Sequence, residues 1–287
     1  MATQNSFILT LSCADRPGIV HAVTGFLAQH SLNIIDSSQF GDPTSKRFFM
    51  RMHFSPAEES SNQLSAEELT RSFEPAAETH GMTFYIRPFA RKLRVLIMVS
   101  KIGHCLNDLL FRKSQLGIEI PAIVSNHPDF APLAATYGIP FHHLPVSPET
   151  KAEQESKILD LVKEYQVDLI VLARYMQVLS PRLCENMSGR IINIHHSFLP
   201  SFKGARPYHQ AYDRGVKIVG ATAHFVTSDL DEGQIIEQDV IRVNHALSPK
   251  ELTIAGSTVE SNVLATAVRL VADGRVLLNG NKTVVFN

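Results

Sequence analysis

Apolar and polar positions change their spacing along this chain, and each change marks an element. Phe7 to Leu11 alternates as a strand does. Asp15-Arg16-Pro17-Gly18 turns into a helix that runs from Ile19 to about Gln29. Asn33 to Phe40 predicts a second strand and Arg47 to Phe54 a third. In the third, Phe48, Met50 and Met52 share one face, and Phe49, Arg51 and His53 share the other. Ser65-Ala66-Glu67-Glu68 has the form of a capping box and opens a second helix. Pro75 is expected to bend or shorten that helix. Met82 to Ile86 closes the series as a fourth strand. The order is βαββαβ, a ferredoxin-like arrangement.

After Arg87-Pro88-Phe89-Ala90-Arg91-Lys92, which reads as a linker, the pattern changes. Leu93 to Ser100 is a continuous apolar run, as a parallel strand buried on both faces requires. Helical and extended segments then alternate. A helix passes through Leu106 to Leu110, a strand runs from Ile118 to Ser125, and a helix from Phe130 to Tyr137 stops at Gly138. Pro140 to Leu144 is extended. Lys151 to Tyr165 carries Ile158, Leu161, Val162 and Tyr165 on one stripe. Strands follow at Asp168 to Ala173 and Arg190 to Ile194. This alternation predicts a doubly wound, Rossmann-like α/β sheet. Lys217 to Val226 and Gln234 to Val243 read as paired strands. Ser248-Pro249-Lys250-Glu251 caps a long helix to about Asp273, and Val276 to Asn287 forms a terminal hairpin or strand. Two domains result, 1–88 and 89–287.

Composition narrows the class. The 287 residues are 44% hydrophobic and 19% charged, with a formal net charge of -1. That balance gives no nucleic-acid or membrane footprint. Cys13, Cys105 and Cys184 lie far apart, against a disulfide framework or thiolate zinc site and in favour of a reducing compartment. Neither a secretory signal nor a membrane-length apolar run is evident, so the cytoplasm is expected.

The chemistry concentrates in Asn193-Ile194-His195-His196-Ser197-Phe198-Leu199-Pro200-Ser201-Phe202-Lys203-Gly204. On a strand ending here, Asn193 and His195 project one way and His196 the other. An amide that can hold an oxyanion and an imidazole that can move a proton suit acyl transfer. Asp231, in Leu230-Asp231-Glu232-Gly233, could orient the histidine. Opposed faces keep His195 and His196 from sharing a metal ion. With neither a His-Glu-x-x-His nor a Cys-x-x-Cys pattern present, no metal is expected.

This combination resembles the formyltetrahydrofolate-dependent formyltransferases. The resemblance assigns catalysis to Asn193, His195 and Asp231, and the seven-residue spacing from His224 to Asp231 agrees with it. It implies folate contacts at Arg174, Met176, Gln177, Val178 and Leu179, with Phe225 and Leu230 covering the other side, and support from His224, Ser197, Lys203 and Gly204. Asn193 is then expected to stabilise the oxyanion, Asp231 to orient water or take its proton, and His195 to stabilise the intermediate. Residues 1–88 resemble an ACT domain at Asp15-Arg16-Pro17-Gly18-Ile19. That resemblance implies a homo-oligomer, dimer or tetramer, and an amino-acid effector such as methionine or glycine near Asp15 to Gly18 and Asn33.

The first strand-to-helix turn of the second domain decides between acceptors. Ser100-Lys101-Ile102-Gly103-His104 is not Gly-x-Gly-x-x-Gly, so no dinucleotide is expected. It also lacks the glycine-rich form that cradles the nucleotide phosphate in glycinamide ribonucleotide transformylases. Water is then the expected acceptor, and the whole chain resembles the formyltetrahydrofolate deformylases. That family implies 10-formyltetrahydrofolate as substrate, no cofactor, and formate supplied to purine synthesis. The competing readings are a formyltransferase to an amine acceptor and a non-catalytic folate- or amino-acid-responsive binding protein.

Overall fold

The computed structural model describes residues 5–57, 64–199 and 207–287. They divide into two compact units, one of residues 1–91 with 273–287 and one of residues 92–272.

The first unit runs β1 (Phe7–Ala14), α1 (Ile19–Gln29), β2 (Leu32–Asp42), β3 (Arg47–Pro56), α2 (Ala66–His80) and β4 (Thr83–Pro88). The antiparallel sheet has the order β2-β3-β1-β4, as βαββαβ requires. One face is a core of Leu9, Leu11, Met50, Met52 and Phe54 under Val23 and Phe26 of α1 and Leu69 and Phe73 of α2. Ser65 and Glu68 form the expected reciprocal cap at 3.1 and 2.8 Å. Pro75, expected to bend or shorten α2, lies inside a helix that continues to His80 and ends on Gly81 in the left-handed conformation. Proline removes one backbone bond. The burial of Phe73 and Ala77 on either side of it holds the helix together.

The second unit continues with β5 (Leu93–Val99), α3 (His104–Arg112), β6 (Ile118–Ser125), α4 (Ala131–Thr136), β7 (Phe141–His143), α5 (Lys151–Glu164), β8 (Leu169–Leu172), α6 (Pro181–Asn186), β9 (Ile191–His195), α7 (Pro207–Asp213), β10 (Ile218–Phe225), β11 (Ile235–Arg242) and α8 (Pro249–Ala272). Its seven strands take the order β11-β10-β9-β8-β5-β6-β7. Strands β5 to β9 pair in parallel, and β10 and β11 add antiparallel. The winding starts at β5, moves through β6 and β7, and returns through β8 and β9 on the other side. The switch point therefore lies between β5 and β8, where open sheets of this kind bind ligands beyond the carboxyl ends of their strands.

The last strands, β12 (Val276–Asn279) and β13 (Lys282–Val285), form the expected hairpin. The sequence placed this hairpin in a domain spanning 89–287, whereas the structure groups it with the first unit. The reason lies on the second face of β3. Phe49 is fully buried against Val284 and Phe286. Arg51 donates to the Asp273 carbonyl at 3.1 Å, and Asn279 donates to Asp42 at 2.7 Å. No helix among the described residues is long and apolar enough to cross a membrane.

Candidate active site

A cavity of about 780 Å³ opens at the switch point of the second unit. Its walls come from the turn after β5, the segment after β8, the end of β9, the segment after β10, and the helices α7 and α8.

Asn193 and His195 lie on the same side of β9 and both line the cavity. His196 does as well, its ring centroid 5.3 Å from that of His195. The sequence expected His196 to face away. The strand ends at His195, so alternation no longer governs the next residue.

Asp231 joins this group from the segment after β10. Its backbone is left-handed, with φ of 57°, a conformation that aspartate tolerates better than most residues. Two residues on, Gly233 approaches the chain so closely that a Cβ would lie 1.7 Å from the Phe225 carbonyl oxygen. Only glycine allows this approach, which returns the chain toward β10 with Asp231 aimed inward. Asp231 Oδ1 stands 3.3 Å from His195 Nδ1 and 3.8 Å from His224 Nε2. The His195 contact is the main reason its carboxyl sits below the usual range, with burial opposing. His195 Nε2 is buried and has no hydrogen-bond partner among the described residues.

His224 holds the remaining member. Its Nδ1 donates to the Phe225 carbonyl at 2.7 Å, which leaves Nε2 to accept from Asn193 Nδ2 at 3.3 Å. Burial depresses its pKa, in keeping with a neutral ring of that tautomer.

The expected folate wall is present in part. Arg174, Met176, Gln177, Val178, Leu179 and Leu230 all line the cavity. Met176, Val178 and Leu230 are exposed there, which marks an apolar surface open to a ligand. Ser100 fixes the start of the segment. Its N–H donates to the Arg174 carbonyl, and its hydroxyl accepts from the Met176 N–H at 2.9 Å. Glu155 accepts from the Ser180 N–H at 2.9 Å and fixes the end. Phe225 is buried but does not line the cavity. It follows His224 on β10, and adjacent strand residues face opposite ways. Val226 and Thr227 take the place expected of it. Ser197 is buried, and its carbonyl accepts from Thr222 at 2.9 Å. Lys203 and Gly204 lie outside the described residues.

Sequence reasoning missed Glu260. This residue of α8 is 1% exposed and accepts from Tyr208 at 2.6 Å, while its other oxygen is 2.8 Å from His104 Nε2. Arg174 Nη1 lies 3.4 Å from it. Burial pushes the Glu260 pKa up, but these partners outweigh it and hold the carboxyl below its usual range. The signal was one acid on the apolar face that Val259, Val263 and Leu264 form. His104, Cys105 and Glu260 bring their donor atoms within 4.8 Å of one another, a spacing that could hold a metal ion. Burial and the Glu260 charge push the Cys105 thiol up, away from the thiolate that a metal needs. Arg174 already supplies a positive charge there. The residues fit a hydrogen-bonded network better than a cation site.

Similarity to known proteins follows the same division. The model of the formyl transferase family matches residues 93–268, and that of the ACT domain residues 7–65. The formyltetrahydrofolate deformylase of Corynebacterium sp. (strain P-1) is 50% identical over 100% of both chains. The chain belongs to the formyltetrahydrofolate deformylase family. A solved deformylase structure, from Burkholderia mallei, superposes with a TM-score of 0.94 at 52% identity over 99% of this chain and 100% of that one. Glycinamide ribonucleotide transformylase 1 from Symbiobacterium toebii superposes with a TM-score of 0.64 at 28% identity, covering 69% of this chain and 95% of its own. The match to the deformylase thus takes in the whole chain, whereas the transformylase leaves nearly a third of it unmatched.

Proposed function

We propose that the protein hydrolyses 10-formyltetrahydrofolate to formate and tetrahydrofolate, without a cofactor. The observation that carries this reading is the convergence of Asn193, His195 and Asp231 in one cavity of a chain similar to deformylases along its whole length. The folate ring lies along Met176, Val178 and Leu179 with Leu230 opposite, and the formyl group reaches Asn193.

Water attacks the formyl carbon, and the Asn193 amide donates to the oxygen as it becomes anionic. Asp231 holds the Nδ1–H side of His195, so Nε2 faces the cavity as a base. Nε2 takes the proton from water and returns it to the amine nitrogen as the C–N bond breaks. The carbon leaves as formate. This division gives His195 the proton and Asp231 the orienting role, the reverse of the expectation from sequence. It rests on the contact through Nδ1 and the unpartnered Nε2.

The first unit acts as a regulatory and oligomerising module for an amino-acid effector. The ACT-domain match supports this, as do Ile34, Ile35 and Phe40, exposed on the edge strand β2. The buried, free cysteines suit the cytoplasm. The formate released there serves purine synthesis.

One assay tests the central reading. Purified full-length protein incubated with 10-formyltetrahydrofolate should release stoichiometric formate. Transfer of the formyl group to glycinamide ribonucleotide at a comparable rate would replace water with an amine as acceptor.

A further inference from the structure

Arg174 is built into the cavity at a cost that the folate wall does not explain. Its backbone is left-handed, with φ of 65°, a strained state for a non-glycine residue. Its side chain is 8% exposed, and Nε and Nη1 have no hydrogen-bond partner among the described residues. The nearest carboxylate, Glu260, is 3.4 Å from Nη1 and is already engaged by His104 and Tyr208. A buried guanidinium whose N–H groups make no hydrogen bond is costly unless a ligand or water meets it. Arg174 lines the cavity in which, on the reading above, an anion is produced.

We propose that Arg174, with His196, forms a subsite for a small monoanionic carboxylate, and that its occupant is the formate released by the reaction. The inference rests on the hydrolytic reading given above. His196 connects the two regions, with its ring 5.3 Å from His195 on one side and 6.2 Å from Tyr208 on the other. Formate formed beside His195 therefore moves past one ring to reach the guanidinium. Charge-assisted bonds from guanidinium to carboxylate are strong, so Arg174 draws the product away from the reacting centre. Glu260 limits that attraction. Its negative charge beside Arg174 weakens the hold on a monoanion, which favours release, and repels a dianion such as phosphate.

The test uses the full-length enzyme, with sodium formate as probe. Calorimetric titration without folate gives formate affinity, and product inhibition during turnover gives the inhibition constant. Arg174→Gln should weaken formate by about tenfold or more, as expected for loss of a bond to a charged group. The KM for 10-formyltetrahydrofolate is measured alongside, because Arg174 also lines the folate wall. Glu260→Gln should tighten formate and slow its release, which a merely structural lesion would not do. Inorganic phosphate should fail to compete. Unchanged formate affinity in Arg174→Gln would overturn the subsite. So would a rise in KM alone, which would assign the guanidinium to a carboxylate of the folate itself. A wild-type enzyme that binds formate yet releases none from 10-formyltetrahydrofolate would sink the hydrolytic reading and leave the anion site standing.

Discussion

Asn193 donates its side-chain N–H to His224 Nε2 across 3.3 Å, and the other face of that imidazole is tied to the Phe225 carbonyl. The amide is thereby turned by a neutral histidine, with one N–H engaged and the other free for substrate. In the proposed mechanism His224 acts through Asn193, as a positioning residue. His224→Phe should lower kcat by about tenfold while KM stays nearly constant. Asn193→Ala should cost about a hundredfold or more, the usual effect of losing an oxyanion donor. Steady-state kinetics separates the two. Equal losses in both variants would mean that His224 touches the reacting atoms itself.

Asp231→Asn should fold, bind folate and lose most turnover, on the order of a hundredfold, because the amide cannot stabilise an imidazolium at His195. Binding of a non-hydrolysable folate, followed by fluorescence, should be near normal. Near wild-type formate release would remove Asp231 from the proton path.

Acid should destabilise the second unit through His196. Burial, reinforced by Arg174, pushes its pKa down from 6.5 to about 4. Between those values the unfolded chain binds a proton that the folded chain refuses. Stability therefore falls as pH drops from about 6.5 to about 4, and His196 contributes nothing above that window. The depressed His224 adds an effect of the same sign. For His196 the loss is at most about 3 kcal/mol. Thermal melts across pH should show the decline, and His196→Gln should flatten it. An unaltered slope would mean that other groups carry the acid sensitivity.

Phe286→Ala should destabilise the first unit by about 3 kcal/mol, the usual cost of truncating a buried aromatic. The residue is 7% exposed and packs with Phe49. Denaturant unfolding of the full chain should show an earlier transition with formate release from the remaining folded protein unchanged. No shift would mean that the hairpin is a passive cover.

Ile35→Lys in the edge strand β2 should lower the oligomer order by adding a charge where a strand would pair. Ile35 is 51% exposed, so the fold should tolerate it. Sedimentation velocity would reveal an unchanged assembly if the interface lies elsewhere.

The sequence revealed the elements whose order depends on local pattern. The apolar run at Leu93 to Val99 had to be a buried parallel strand, and the alternation ending at His195 put Asn193 beside it. The failures occur where a local rule stops applying. His196 lies one residue past the strand, and Phe225 lies one residue past the side chain that faces the cavity. Pro75 stayed helical because tertiary burial outweighed its missing N–H. Glu260 was hidden because its partners, His104, Arg174 and Tyr208, are far away in sequence. The hairpin was foreseen as an element, but its partner Phe49 lies more than two hundred residues earlier.

The return of residues 273–287 to the first unit makes the second an insertion within it. During synthesis all of residues 92–272 leave the ribosome before the first unit can be finished. The larger unit can therefore complete its own sheet while the smaller one still lacks the cover for Phe49. A nascent chain stopped at Ala272 would hold every residue proposed for hydrolysis and still leave Phe49 uncovered on the second face of β3. The hairpin of β12 and β13 thus seals a unit that starts more than two hundred residues earlier, and a chain truncated before it leaves an aromatic ring of that unit open to water.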